Sequence, residues 1–169
     1  MRFALVAMAA LAGCAGGHAR IHTTAEPHGP NWPAPTLSAA PGWHLTTAVD
    51  GGIASAEAST VLSRDAPGAW PEETLKALPA SGILIIAFGY RELERRGNES
   101  PQHDLPYRLS QFRHDEGWEG QPAPNVPQYV LWTTVHRHLL DVRVFFGTQD
   151  PSAGQLARAQ AELDTLSWG

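Results

Sequence analysis

Gly82-Ile83-Leu84-Ile85-Ile86-Ala87-Phe88-Gly89 contains six consecutive apolar residues, Ile83 to Phe88, with a glycine at each end. A strand with one wet face alternates apolar and polar residues, and this stretch does not alternate. It therefore predicts a central strand with both faces covered. What lies to either side decides what covers it.

Upstream, Ala69 to Pro79 (AWPEETLKALP) predicts a short helix. Pro71 suits its first position, Glu72 and Glu73 suit the positive end of the dipole, and Pro79 stops it. Leu75 and Leu78 share one face. Further upstream, Gly42 to Val49 has β-favouring residues and ends at Asp50-Gly51-Gly52, a hairpin turn signal. Ile53 to Leu62 (IASAEASTVL) is read as the return strand, although its alanines also suit a helix. Downstream, residues 91–105 are charged and polar and read as a solvated excursion. Tyr107 to Arg113 predicts a strand, and His114 to Pro127 an irregular loop rich in Gly and Pro. Tyr129 to Val135 and Leu139 to Phe146 predict a hairpin turning at His136-Arg137-His138. Leu140, Val142, Val144 and Phe146 alternate with Asp141 and Arg143, the pattern of a strand with one dry face. A closing helix is capped by Asp150 and begins at Pro151, with Leu156, Ala159, Leu163 and Leu166 as its apolar stripe. Arg158 and Glu162 are read as an outward i,i+4 pair, and Trp168 as packing back on the sheet. The sum is an α+β domain: an antiparallel sheet of about five or six strands, with a short helix and a C-terminal helix packed on it.

The 169 residues (18.2 kDa) suit one such domain. Hydrophobic residues make up 43% and charged residues only 17%, which argues against a coiled coil or a charge-rich disordered chain. A net charge of −5 argues against a nucleic-acid partner. One cysteine excludes a disulfide framework or a Cys-cluster zinc site.

That cysteine closes the N-terminal segment. Arg2 precedes the apolar run Phe3 to Leu11, which is followed by Ala12-Gly13-Cys14. The order is that of a secretory signal, too short to span a bilayer. Leu11-Ala12-Gly13-Cys14 resembles the lipobox of bacterial lipoproteins. The resemblance implies cleavage before Cys14, a diacylglyceryl group on its sulfur, and a lipid-anchored location on the extracytoplasmic side of the membrane. Residues 1–13 are then signal peptide, and 14–41, with five prolines, a lipidated tether. Residues 42–169 form the domain. Leu78 to Ile85, Val144 to Gly147 and the closing Leu166-Ser167-Trp168 make the domain similar to uncharacterised secreted or lipid-anchored actinobacterial proteins. Eleven arginines against one lysine fit such a genome. The element order is also similar to the PsbP/Mog1-like α+β fold, a likeness that implies no shared function.

Reactive motifs are sparse. The sequence lacks a nucleophile elbow, a P-loop, a H-E-x-x-H helix and an EF-hand loop. Lys76 reads as a solvated charge. His136 and His138, two apart, are candidate metal ligands if both lie on one strand face. A third ligand would have to come from His44, His103, His114 or Asp141. Trp118, bordered by Asp115, Glu116 and Glu119, is a candidate ligand-stacking residue. Three readings follow. The first is a non-catalytic binding or accessory module at the cell envelope, whose partner is an envelope protein or a small ligand. The second is a small metal-dependent enzyme or metal-binding protein using His136 and His138. The third is a small-ligand carrier with a pocket between helix and sheet.

Overall fold

A computed structural model describes residues 21–24, 33–91, 102–115 and 126–169. The signal and lipobox residues, Cys14 among them, lie outside this set, as does Trp118.

The stretch 82–89 forms β5 (Ile83–Tyr90) at the middle of the main sheet. β3 (His44–Asp50) and β4 (Ile53–Ser59) lie to one side, and β8 (His138–Phe146), β7 (Gln128–Val135) and β6 (Arg113–Asp115) to the other. These six strands run β3-β4-β5-β8-β7-β6, every pair antiparallel. β1 (Ile21–Thr24) adds a parallel edge to β3. A separate two-stranded ribbon joins β2 (Pro35–Thr36) to β9 (Ser167–Trp168). The fold is sheet-rich, with helices α1 (Glu72–Lys76) and α2 (Ala153–Leu163).

β5 is buried on both sides, as its composition predicts. Ile83, Ile85 and Ala87 join Leu140, Val142, Val144 and Phe146 in a core with Ala159 and Leu163 of α2. Leu84, Ile86 and Phe88 face the other way and pack with Phe145, with Leu75 of α1 and with Leu78 just after it. The ambiguous Ile53–Leu62 stretch resolves as strand as far as Ser59, with Thr60 to Leu62 beyond its end. Ala56 and Ala58 face the α2 side, where the ribbon strand β2 packs against β4 and β5.

Several expectations change. Residues 33–41 belong to the fold: Leu37 is buried in the α2-side core, and Ala34 and Gly169 exchange backbone hydrogen bonds of 2.8 and 3.2 Å. Of the expected strand Tyr107 to Arg113, only Arg113, the first residue of β6, is strand. Gln111 accepts from the Arg108 amide, and Gln160 of α2 binds both the Leu109 amide and the Tyr107 carbonyl. Side chains thus satisfy backbone groups that a ladder would otherwise use, and Leu109–Gln111 closes as a 3-10 turn. The start of the expected 114–127 loop is strand β6. Helix α2 is capped by Ser152 rather than Asp150: Ser152 and Gln155 form a reciprocal capping box. Glu162 is not on the outside. It is fully buried and accepts from the Ala40 amide at 3.3 Å, and burial raises its pKa. Arg158 lies over the Trp43 ring at 5.9 Å. Trp168 does pack back, stacked on His138.

Candidate functional site

On the α1 side of the sheet, pleating places Asp141, Arg143 and Phe145 of β8 beside Gln128 and Trp132 of β7. The alternation of β8 predicts that its polar side is wet, but Asp141 and Arg143 are both buried. The guanidinium Nε contacts both carboxylate oxygens of Asp141, at 3.1 and 2.9 Å, and Nη1 donates to Gln128 at 3.2 Å. Arg143 also lies 5.4 Å from the Trp70 ring and 5.9 Å from that of Trp132. A charge this deep requires such company, because an unpaired buried ion costs several kcal/mol.

Trp70 belongs to a strap, residues 60–71, that crosses β3–β5 before α1. Two devices shape it. Pro67-Gly68 makes a turn, with Gly68 at φ +81 and the Ala69 amide bonding to the Ala66 carbonyl at 3.0 Å. A Cβ on Gly68 would sit 2.9 Å from the Ala48 Cβ, so the strap approaches β3 here at a distance that glycine allows and a side chain would crowd. Asp65 then anchors α1, accepting from the amides of Glu73 (3.1 Å) and Thr74 (2.9 Å) and from the Thr74 hydroxyl (2.7 Å). Beneath the strap lies Glu57 of β4, a buried carboxyl raised from 4.5 to about 7. Desolvation is the main cause; a hydrogen bond from Ser63 opposes it, and the nearby Asp65 charge adds to it.

Strap and sheet leave a half-open cleft of about 230 Å³, lined by Ala48, Asp50, Ile53, Ser55, Gly68, Trp70, Phe88 and Tyr90. Asp50 and Ile53 flank the β3–β4 turn at its mouth, where Gly51 has φ +56. Phe88 and Tyr90 come from the same face of β5. The cleft combines aromatic surface with one carboxylate (Asp50) and two hydroxyl-bearing residues (Ser55 and Tyr90), the mixture of apolar wall and few polar groups common to ligand sites. Its volume is below that of drug-sized pockets, which run from about 300 Å³ upward.

The sequence-predicted residues fall elsewhere. β7 and β8 join through a two-residue turn, Val135 pairing with His138, with His136 at φ +48 and Arg137 at φ +71. His136 is therefore an exposed turn residue, and strand alternation does not relate it to His138. His138 starts β8, with its Nδ1 2.8 Å from the Arg91 carbonyl and its ring stacked on Trp168 at 6.0 Å. His103 bonds to Gln111, His114 meets the Tyr129 ring edge-on, and Asp141 serves Arg143. Among the described residues, no three His, Cys, Asp or Glu side chains gather as metal ligands. Lys76 is exposed between Glu72 and Glu73, 2.7 and 2.8 Å away, and their hydrogen bonds raise its pKa.

Sequence reasoning passed over Glu57, Asp65 and Trp70. The Pro67-Gly68 dipeptide was the available signal for the strap's turn. Burial of Glu57 has no local signature, because the strap that covers it is brought there by tertiary packing. The chain matches no protein-family model, no curated protein and no solved structure.

Proposed function

We propose that this chain is a non-catalytic binding module of the cell envelope, held on the extracytoplasmic side of the membrane by a lipid on Cys14. Its cleft between strap and sheet receives a small ligand or a side chain of an envelope partner. The binding half of this reading is carried by the cleft itself, whose aromatic lining (Trp70, Phe88, Tyr90) and single carboxylate (Asp50) converge on one concavity. The anchoring half is supported by the lipobox-like Leu11-Ala12-Gly13-Cys14 behind an apolar segment. Each buried methylene contributes about 0.8 kcal/mol, so two acyl chains suffice for stable attachment.

The test is cell fractionation of the wild type and Cys14→Ser. The wild type is expected in the membrane fraction and Cys14→Ser in the soluble fraction, with unchanged circular dichroism. Retention of the variant in the membrane fraction refutes the anchor.

A further inference from the structure

We propose that the ligand taken by this cleft carries an organic ammonium group, seated between the Asp50 carboxylate and the aromatic walls formed by Trp70, Phe88 and Tyr90. The inference rests on the binding reading above and narrows it to a ligand class. Among the described residues that line the cleft, Asp50 alone is charged. No ion pair among the described residues engages it, so its charge is not already neutralised by an arginine or lysine there. Aromatic faces attract cations through the ring quadrupole, and an ammonium bearing methyl or methylene groups also buries apolar surface against them. Trp70 already performs this role inside the protein, where it flanks the guanidinium of Arg143 at 5.4 Å.

Size agrees with chemistry. About 230 Å³ accommodates a compact ammonium ion with a short substituent, whereas drug-sized ligands occupy larger sites. Asp50 ends β3 opposite Ile53 across a two-residue turn, which holds it beside the cleft. Ile53, 42% exposed despite its size, supplies apolar surface at the mouth.

The experiment is isothermal titration of the full chain with choline and with 3,3-dimethyl-1-butanol, its uncharged isostere. Choline is expected to bind about tenfold more tightly than the isostere, as a partly desolvated cation–π and carboxylate contact would give. Asp50→Asn should remove most of that preference while leaving isostere binding unchanged. Asparagine before glycine is itself a favoured hairpin-turn pair, so this variant keeps the turn. Tyr90→Leu should weaken choline more than the isostere. If the two probes bind equally, the ammonium assignment is overturned while the cleft stands as a binding site. If choline binds but Asp50→Asn keeps its preference, the assigned carboxylate is wrong. If neither probe binds, both this assignment and the cleft's role in the binding reading fall.

Discussion

Replacing Glu57 by glutamine keeps the shape of the side chain and removes its ability to ionise. In the folded protein Glu57 is 6% exposed, and its pKa rises from 4.5 to about 7, chiefly through desolvation. A raised carboxyl pKa means that the native state holds this proton where the unfolded chain has released it. The stabilising contribution is therefore complete below pH 4.5, falls as pH rises toward about 7, and is lost above it. A rise from 4.5 to about 7, at about 1.36 kcal/mol per pH unit, makes the swing roughly 3 kcal/mol. Glu57→Gln has no such swing. Urea unfolding of both proteins from pH 4 to pH 8 measures the difference, and the other titrating groups cancel between them. The stability of Glu57→Gln relative to wild type should climb by roughly 3 kcal/mol across that range, with most of the rise between pH 4.5 and pH 7. A difference that stays flat with pH would show that Glu57 is not buried as an ionisable carboxyl under the strap.

Asp141→Asn leaves the Arg143 charge buried without its counterion and should cost about 3–5 kcal/mol. The double variant Asp141→Leu/Arg143→Met should recover most of that loss in the same denaturation assay, giving a large coupling energy in the double-mutant cycle. Arg137→Gly removes a side chain from a left-handed backbone position and should stabilise the β7–β8 hairpin by about 1 kcal/mol, seen as a higher melting temperature. Ser152→Ala breaks the α2 capping box and should lower stability by about 1 kcal/mol in the same thermal assay.

The sequence identifies the elements of this fold where local composition and long-range packing agree. Six apolar residues in a row had to form a strand covered on both sides, and β5 is one. Asp50-Gly51-Gly52 had to turn, and it does. Ser152-Ala-Gly-Gln155 carried a capping signature that the neighbouring Asp150-Pro151 obscured. Elsewhere, distant contacts decided the outcome. Alternation along β8 distinguishes two faces but says nothing about what covers the second, so Asp141 and Arg143 were read as wet. Glu162 sits on α2 where a helical wheel allows an outward position. The incoming segment around Ala40 buries it and offers an amide in return. The cleft is less legible still, since its walls come from β3, β4, β5 and the strap. The histidine pair was visible because its members adjoin in sequence, but His136 lies in a left-handed turn outside the strand, so strand alternation does not place the two on one face.

The most direct test of an envelope module held by acyl chains is the intact mass of the protein purified from its native membranes in detergent. A chain beginning at Cys14 and carrying the added mass of a diacylglyceryl group is the expected result. A free thiol at that position, or a polypeptide still beginning at Met1, would contradict it.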